Sequence, residues 1–354
     1  MYILGMESSC DETSAAVIEV TEGGEMRICS NVIASQVEIH RVYGGVVPEI
    51  AGRAHIEAVS GITYEALGAA GIGCTDLGLV AVTARPGLIG ALLVGVNFAK
   101  SLAYANGIPL VGVNHVKGHV AAAYLSHPTL KPPFVAVVVS GGHTSLYRVK
   151  DYNRFEEIGA TRDDAAGEAF DKIGRVIGLP YPAGAAMDKL AHEGQRGSIA
   201  LPSPALTGDT LDFSFSGIKT AALNYINGLT QKGLEVPRAD LAASYTERIV
   251  SAVTDKAEKA LHLTGLESLV LAGGVAANSH LREALAKMCQ GRGATLVTPP
   301  VSLCGDNGAM IAAAGYYEYR DGRLADSSLN ASACDEEGEF STALWKSSVE
   351  NCTF

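Results

Sequence analysis

A strand–turn–strand pattern that occurs twice constrains the fold of this chain more than any other feature. The first copy joins apolar residues 2–7 to residues 15–20, and the second joins residues 134–139 to residues 146–149. The turns Ser9-Cys10-Asp11-Glu12-Thr13-Ser14 and Ser140-Gly141-Gly142-His143-Thr144-Ser145 both have Ser, Thr four positions later, and then Ser. This repetition predicts a duplicated lobe.

The strands and helices between the copies favour an α/β fold. Buried-type strands at 79–83 and 109–113 flank a helical stretch at 88–105, an order typical of parallel strands. The length of 354 residues suits two lobes, because one domain usually has roughly 100 to 200 residues. We therefore predict two duplicated lobes of mixed sheet with a cleft between them.

The predicted boundaries follow from these patterns. Lobe I takes residues 1–115 and is closed by a C-terminal helix at 306–320. Lobe II takes residues 116–305 and contains a helical insertion, with helix predicted over about 163–193. From residue 321 the apolar periodicity fades into an acidic segment, so residues 321–354 are predicted to form a loosely held tail.

Charge and composition restrict the class of protein. The formal charge of −11 argues against a general surface for polyanions, so any RNA contact must be local or shared with a partner. No apolar run approaches the roughly 18 to 20 residues of a membrane span, and the N-terminus lacks a basic signal-peptide start. We expect a cytoplasmic protein without a membrane segment. The seven cysteines form no CxxC pair and are expected to be reduced thiols.

The two matched turns predict an anion site. Backbone N–H groups and hydroxyls on a sharp turn can bind phosphate without lysines. The alternative is that Ser, Gly and Thr are common in turns of every kind. The occurrence of two matched copies favours the anion site.

Two histidines and a distant aspartate predict a metal site. His115 and His119 follow a predicted strand, and a spacing of four places both imidazoles on one helix face. Asp306 lies in a glycine-flanked loop before a helix predicted at 309–316. Two histidines and one carboxylate suit zinc, iron or manganese. The alternatives are a chance histidine pair and an ordinary N-cap aspartate.

Two other segments are candidates for nucleotide binding. A strand at 268–272 precedes Gly273-Gly274 and a helix, so a flat ligand can approach the backbone there, although close strand–helix packing needs the same glycines. Asp164, Glu168 and Asp171 share one face of a predicted helix. Their repulsion must be offset by a cation, by ribose hydroxyls or by the helix dipole.

Together these motifs resemble the TsaD family, the bacterial branch of the tRNA threonylcarbamoyladenosine synthases, over residues 1–320. The resemblance implies the two-lobed actin, Hsp70 and sugar-kinase fold with an interlobe cleft. The matching segments, in chain order, are Glu7-Ser8-Ser9-Cys10-Asp11-Glu12-Thr13, Tyr43-Gly44-Gly45-Val46-Val47-Pro48-Glu49, Pro86-Gly87-Leu88, Gly90-Ala91-Leu92-Leu93-Val94-Gly95, His115/His119, Val139-Ser140-Gly141-Gly142-His143-Thr144, Asp163-Asp164-Ala165-Ala166-Gly167-Glu168-Ala169-Phe170-Asp171-Lys172, Asp212-Phe213-Ser214-Phe215-Ser216-Gly217-Ile218-Lys219-Thr220, Ala272-Gly273-Gly274-Val275-Ala276-Ala277-Asn278 and Gly305-Asp306-Asn307-Gly308-Ala309-Met310.

The resemblance also implies an activity and its residues. The expected reaction is acyl transfer of the threonylcarbamoyl group from its adenylate to N6 of adenosine 37 in tRNAs that read ANN codons, with release of AMP. The implied metal ligands are His115, His119 and Asp306, and the implied catalytic acids are Asp11 and Glu12. The implied substrate-binding residues are Val139, Ser140, Gly141, Gly142 and His143 for the anionic part, and Asp171, Gly184, Asp188 and Asn278 for the ribose and base.

The implied cofactor is one divalent ion, Fe²⁺ or Zn²⁺ with Mg²⁺ as a third choice, beside an adenine nucleotide. The implied partners are tRNA, TsaB and TsaE, while TsaC supplies the adenylate. Arg85 stands where the family usually has glycine, and a positive φ there would strain it. Ala183 and Ala185 likewise depart from the family's usual Pro-Gly-Gly-Pro loop.

Three other functions compete with this one. A metalloendopeptidase would use the same histidine pair, but Val116 stands where an HExxH protease has its glutamate. A sugar-kinase-like or Hsp70-like ATPase is suggested by fold alone, and fold is weak evidence for function. The third alternative is a non-catalytic scaffold related to TsaB, and the intact set of His115, His119 and Asp306 argues against it.

Overall fold

Two five-stranded mixed sheets form the frame of the molecule. The computed structural model describes residues 1–334 except 204, 205, 207 and 209. The first sheet contains β1 (Tyr2–Glu7), β2 (Glu12–Val20), β3 (Met26–Ser35), β4 (Leu77–Arg85) and β5 (Leu110–Asn114). The second contains β6 (Phe134–Val139), β7 (Thr144–Asp151), β8 (Arg154–Ala160), β9 (Ser268–Ala272) and β10 (Thr295–Val297).

The two sheets have one topology. Their strand orders are β3-β2-β1-β4-β5 and β8-β7-β6-β9-β10, so each strand of the first sheet has a counterpart five numbers later. In both, the first three strands pair antiparallel and the last two add in parallel. The predicted duplicated α/β fold with mixed sheets is confirmed.

Helices fill the segments between the strands. They are α1 (Val37–Arg41), α2 (Pro48–Ala70), α3 (Ile89–Asn106), α4 (His115–Ser126), α5 (Ala166–Val176), α6 (Gly184–Ala191), α7 (Ser216–Gln231), α8 (Arg238–Thr264), α9 (Ser279–Arg292) and α10 (Gly308–Arg320). The helical stretch predicted at about 163–193 is thus divided into α5 and α6. None of the helices in the described part of the chain combines the length and apolarity needed to cross a lipid bilayer.

The described residues form five layers. Alternate residues of a strand face opposite sides, so Leu4 and Met6 of β1 pack toward α2 and α3. Ile3 faces the other way, into a core that contains α4, α10 and one face of the second sheet. The remaining face of the second sheet packs on α5–α9. Both sheets therefore share the middle layer of α4 and α10.

The last helix, α10, returns to the first lobe and packs on its backbone. A Cβ at Gly308 would lie 2.6 Å from the Gly5 carbonyl oxygen and 2.6 Å from the Ala16 amide nitrogen. Glycine at this position allows helix and sheet to touch directly. The predicted boundary at residue 115 coincides with the start of α4, inside the layer that both sheets share.

Residues 321–334 run along lobe I and contact it. The Ala325 amide donates to the Leu110 carbonyl at 2.8 Å, and the Ser332 amide donates to the Ala84 carbonyl at 2.9 Å. Lys100 Nζ donates to the Leu329 carbonyl at 3.0 Å. These contacts differ from the loosely held tail predicted for the whole of 321–354, whose acidic residues from 335 onward lie outside the described residues.

Two smaller expectations concern backbone strain and disulfides. Glycines alone have positive φ among the described residues, so the strain predicted at Arg85 is absent. No cysteine in residues 1–203 or 210–334 forms a disulfide, in agreement with the reduced thiols expected from the sequence.

Candidate active site and metal centre

A cavity of about 730 Å³ lies between the two hairpin turns. This volume lies within the range of small-molecule and cofactor sites. Nine of the catalytic, metal-binding and substrate-binding residues that the family resemblance implies line the cavity, and they come from both lobes. They are Asp11, Glu12, His115, Ser140, Gly141, Gly142, His143, Asp171 and Asp306.

The start of α4 sets the positions of the two histidines. The Asn114 side chain accepts hydrogen bonds from the amides of Val116 and Lys117, which is an N-cap and makes His115 the first helical residue. His119 follows one turn later on the same face. Both residues are buried, with His119 only 1% exposed.

Asp306 approaches the histidines from the loop before α10. His119 Nε2 lies 3.3 Å from Asp306 Oδ1, and His115 Nε2 lies 3.6 Å from the same oxygen. Donor atoms of the three residues lie within 4.8 Å of one another. The N-cap of α10 is Asn307, whose side chain accepts from the Met310 amide, so capping does not explain Asp306.

The surroundings of these three residues fit a divalent cation. Glu7 Oε2 accepts from His115 Nδ1 at 3.1 Å and leaves Nε2 facing Asp306. Metal-binding imidazoles commonly donate their second N–H to a carboxylate in this way. Neither ring nitrogen of the buried His119 makes a well-aligned hydrogen bond, although Nε2 lies 3.3 Å from Asp306 Oδ1, and coordination of that nitrogen by a cation between the two would relieve this unfavourable state.

Glu7 is a site residue that the sequence reasoning missed. It is 1% exposed, and its carboxylate also accepts from Thr83 Oγ1 at 2.6 Å and from the Ser9 amide at 2.5 Å. Burial opposes its ionisation, but the charge of His115 outweighs burial and lowers the Glu7 pKa. A charged residue that ends an otherwise apolar strand was the available signal.

The charges at this site depend on one another. Burial disfavours a charged His115, yet Glu7 and Asp306 outweigh burial and raise the His115 pKa to about 9. Burial also opposes ionisation of Asp306, but His115 and His119 hold its pKa well below the usual range. Burial, and then the charges of His115 and His119, lower the His143 pKa to about 4.

The first hairpin turn presents carboxylates to the cavity. Burial, with the charges of Asp306 and Asp11, raises the pKa of Glu12 to about 10. The Thr13 hydroxyl hydrogen-bonds His55 Nδ1 at 2.7 Å, and the Ser14 hydroxyl donates to the Val32 carbonyl at 2.7 Å. With acids at the cavity and the Thr13 and Ser14 hydroxyls bonded elsewhere, the first turn offers an anion fewer donors than the second; its Ser9 hydroxyl lies 3.2 Å from His115 Nδ1.

The second hairpin turn presents backbone. The Ser140 amide donates to the His143 carbonyl at 2.7 Å, and the His143 amide donates to Ser140 Oγ at 3.1 Å, which fixes the turn. Gly141 and Gly142 are exposed, and a Cβ at either would meet no atom within 4 Å. A ligand can therefore approach the backbone here. Val139 is fully buried and does not line the cavity.

Of the four residues predicted to hold the ribose and base, one lines the cavity and three do not. Asp171 lines the cavity, and its Oδ1 accepts from the Ala183 amide at 2.6 Å. Gly184 starts α6 after Pro182, which also lines the cavity. Asp188 and Asn278 do not line it. Asp188 accepts from the start of α9, and Asn278 is the N-cap of that helix.

Lysines offset the acidic cluster before and in α5. Asp164 accepts from Lys172 Nζ at 2.8 Å and from Lys219. Lys172 also pairs with Glu168 at 2.8 Å. Asp164 precedes the helix, which begins at Ala166, so it does not share a helix face with Glu168 as predicted. Glu168 and Asp171 both line the cavity, and Asp171 is held there by the Ala183 amide, whereas Glu168 is paired with Lys172.

Relatives of known name cover almost the whole chain. Residues 27–313 match the TsaD family profile, described as tRNA N6-adenosine threonylcarbamoyltransferase. The protein of that name from Clostridium botulinum (strain 657 / Type Ba4) is 51% identical over 329 residues, which is 93% of this chain and 96% of the relative. The protein of that name from Clostridium perfringens (strain 13 / Type A) is also 51% identical with the same coverage.

Solved structures of low sequence identity share the fold. HypF from T. kodakarensis matches with a TM-score of 0.63 at 14% identity, over 93% of this chain and 49% of that one. Component A of the Acidaminococcus fermentans (R)-2-hydroxyglutaryl-CoA dehydratase matches with a TM-score of 0.53 at 15% identity, over 91% and 99%. With residues 27–313 matching the family profile and half of all aligned residues identical to the bacterial relatives, the chain belongs to the TsaD family.

Proposed function

We propose that this chain transfers the threonylcarbamoyl group of L-threonylcarbamoyladenylate to N6 of adenosine 37 in tRNAs that read ANN codons and releases AMP. The observation that carries the proposal is the convergence of His115, His119 and Asp306 at a cavity lined by both hairpin turns. The names of relatives that align over 93% of the chain support it. A kinase of this fold would not require two histidines and an aspartate at its cavity, and the relatives bear the name of a transferase.

The three converging residues are proposed to hold one divalent ion, Fe²⁺ or Zn²⁺. When bound, such an ion supplies positive charge next to the anionic acyl-adenylate. Glu7 holds the His115 ring through Nδ1 and so fixes the direction of Nε2. His115 is held further by Ser9 Oγ, 3.2 Å from the same nitrogen.

The second hairpin turn is proposed to bind the anionic part of the substrate. Ser140, Gly141, Gly142 and His143 line the cavity, and the buried Val139 places them at the end of β6. Glycines without neighbouring atoms let phosphate or carboxylate oxygens reach backbone N–H groups. This turn provides hydrogen-bond donors without a permanent positive charge.

The ribose and base are proposed to lie against the start of α6. Asp171 offers its carboxylate in the cavity, and Gly184 follows the cavity-lining Pro182. Asp188 and Asn278 lie behind this wall, where both hold the start of α9. They are proposed to act on the nucleotide through the placement of α6 and α9.

The transfer step requires a proton acceptor. The N6 amine of adenosine attacks the carbamoyl carbonyl carbon, a C–N bond forms, the C–O bond to the phosphate breaks, and AMP leaves with the electron pair. The amine loses one proton, and it is a weak nucleophile because its lone pair is delocalised into the ring. Asp11, at the cavity, is proposed to accept that proton. Glu12 also lines the cavity, but its pKa of about 10 keeps it protonated near neutral pH, and it is proposed to hold Asp11 by a hydrogen bond.

The partners follow from the substrate. tRNA is the acceptor that the family name implies, and the chain's charge of −11 gives no general RNA-binding surface. TsaB and TsaE homologues are proposed to share the tRNA contact, with TsaC supplying the adenylate. A cytoplasmic location is proposed with this substrate.

The test is incubation of tRNA with ATP, bicarbonate, threonine and the partner proteins, with and without this chain. Nucleosides from digested tRNA are then weighed by mass spectrometry. We expect threonylcarbamoyladenosine only with the chain, and its loss with His119→Ala. His127→Ala, which changes a histidine at the other end of α4, is the matched control and should retain activity. Equal product without the chain would refute the proposal.

A further inference from the structure

A fully buried histidine of α2 lies directly behind the acidic turn. His55 is 0% exposed and shares the buried face of α2 with Ala51 and Val59, one turn to either side. An imidazole on such an apolar face needs partners for both of its ring nitrogens. His55 belongs neither to the candidate metal ligands nor to the residues that line the cavity. The site described so far therefore does not explain it.

Both ring nitrogens of His55 bind the turn between β1 and β2. Nε2 lies 3.0 Å from the Cys10 carbonyl oxygen, and Nδ1 lies 2.7 Å from Thr13 Oγ1. A carbonyl oxygen can only accept, so in the neutral ring Nε2 donates to Cys10 and Nδ1 accepts from the Thr13 hydroxyl. Cys10 and Thr13 flank Asp11 and Glu12 in the chain. One ring therefore holds both ends of the acidic pair.

The neutral form of His55 suits these two partners. Burial lowers the pKa of His55, against the opposing effects of its bond to the Cys10 carbonyl and of the charge of Glu7. A neutral imidazole has one donor and one acceptor, which match one carbonyl and one hydroxyl. The ring satisfies both partners at neutral pH and adds no charge beside the carboxyl groups of the turn.

Backbone bonds fix the rest of the turn. The Leu88 amide donates to the Ser9 carbonyl at 2.8 Å, and the Gln36 amide donates to the Asp11 carbonyl at 2.9 Å. With His55 bound to the carbonyl between them, three successive carbonyls of the turn have partners. The Asp11 side chain thus reaches the cavity from a backbone that is held on every side.

The matched turn of the second lobe is supported in a different way. Thr144 occupies the position of Thr13, and its Oγ1 accepts from the Ala166 amide at 2.9 Å, at the start of α5. The same hairpin therefore forms in the second lobe with a helix end in place of the histidine. Since the second turn carries no carboxylates, the clamp by His55 accompanies the acidic residues and is not a requirement of the hairpin itself.

We propose that His55 is a positioning residue that holds Asp11 in the place where it can accept the N6 proton. This inference rests on the proposed function, with Asp11 as its proton acceptor. A general base acts only within hydrogen-bond reach of the proton, and a displacement of about 1 Å can cost roughly 100-fold in rate. Loss of the clamp should lower kcat and leave binding of the adenylate at the second turn unchanged.

The experiment compares two substitutions of Thr13 in the full chain, assayed with tRNA, adenylate and the partner proteins. Thr13→Val removes the hydroxyl with little change of shape, and it should lower kcat about 10- to 100-fold while KM for the adenylate changes less than about twofold. Thr13→Ser keeps the hydroxyl and should stay within about threefold of the unchanged chain. His55→Leu loses both bonds and should fall at least as far as Thr13→Val.

The matched control is Thr63→Val. Thr63 is another buried threonine, but its hydroxyl donates to the Val59 carbonyl within α2, so its loss should leave kcat unchanged. Circular dichroism and bound metal should be the same in every variant that is compared. Should His55→Leu fail to fold, the two Thr13 variants decide the question, because each retains the ring.

The outcomes separate this inference from the function on which it rests. Normal kcat in Thr13→Val beside an inactive Asp11→Ala would overturn the positioning role and leave the proposed function standing. An equal loss in Thr13→Ser and Thr13→Val, or a loss that lies wholly in KM, would also overturn it. Normal turnover of Asp11→Ala would refute the proton acceptor and its positioning together, and no product from the unchanged chain would refute the proposed function itself.

Discussion

The two hairpin turns have the same backbone and opposite chemistry. Glu7 pairs with Ser14 in the first hairpin as Val138 pairs with Ser145 in the second. The first turn brings Asp11 and Glu12 to the cavity, whereas the second brings two glycines and a histidine. Duplication thus preserved strand pairing, which the core requires, and left the turn residues free to diverge.

The buried strand ends differ as well. Glu7 is a carboxylate enclosed by His115 and Thr83, while Val138 is an apolar residue in the shared core. A buried carboxylate is stable only when it has hydrogen-bond partners, and His115 and Thr83 supply them to Glu7 in the first lobe. The first hairpin therefore ends β1 with a residue that orients the candidate metal ligand His115, whereas the matching residue of β6, Val138, contributes to the apolar core.

The largest expected effect is at the acidic turn. Asp11→Ala combined with Glu12→Ala should lower kcat by roughly 10²- to 10⁴-fold, the usual contribution of general base catalysis. Adenylate affinity should change little, because this turn is not proposed to bind the anion. Single-turnover kinetics with tRNA would measure both, with Glu25→Ala as the control at an exposed turn. Normal turnover of the double variant would remove the proton-acceptor role from this turn.

The next effect sharpens the contrast between Glu7 and Val138. Glu7→Gln should weaken metal binding at His115, His119 and Asp306 by about 10- to 100-fold, because the carboxylate orients the imidazole. Metal titration of chelator-treated protein would measure this. An unchanged affinity would make Glu7 a purely structural residue.

A smaller effect is expected at the glycine turn. Gly142→Ala adds a methyl group in open space, so the free energy of unfolding should change by less than about 0.5 kcal/mol. The methyl would crowd an anion at the backbone, and we expect KM for the adenylate to rise about tenfold with kcat nearly constant. Gly217→Ala, also in open space but in α7, is the control. A fall in kcat alone would contradict anion binding here.

The smallest effect is expected at Asp163 in the second lobe, whose carboxylate accepts hydrogen bonds from Ser214 and Ser216. Burial opposes ionisation of Asp163, but bonds from Ser214 and Ser216 outweigh it and lower its pKa below 3.8. The native state therefore favours the ionised form, so the stabilisation is present above about pH 4 and is lost as pH falls through the lowered pKa. Asp163→Asn should reduce stability at pH 7 and little at pH 2. The urea midpoints of unfolding of the variant and the unchanged chain at both pH values would test this. An equal difference in midpoint at pH 7 and pH 2 would contradict it.

The sequence predicted the frame because apolar strands and turn residues are local patterns. Residues 134–139 are buried throughout, as their unbroken apolar run indicates. The pairing of His115 with His119 was also local, being set by helix geometry. Asp306 was a candidate ligand from its glycine-flanked loop, but no local spacing rule joins it to His119, 187 positions earlier, and the family resemblance supplied that grouping.

What the sequence could not give depends on tertiary contacts. Lys219 neutralises Asp164 from a distant helix, and no spacing rule indicates that pairing. Asn307 rather than Asp306 caps α10, although both residue types suit the position. His280 meets Asp188 across two helices, so their hydrogen bond became visible only in the fold.

The position of α10 late in the chain affects biosynthesis. This helix covers β1 and contributes Ala309, Met310 and Ile311 to the core of the first lobe, and Asp306 precedes it directly. A nascent chain therefore exposes the apolar underside of its earliest sheet until more than 300 residues have been translated. Domains usually fold as units during synthesis, but here the N-terminal lobe can complete its core only after α10 has been synthesised.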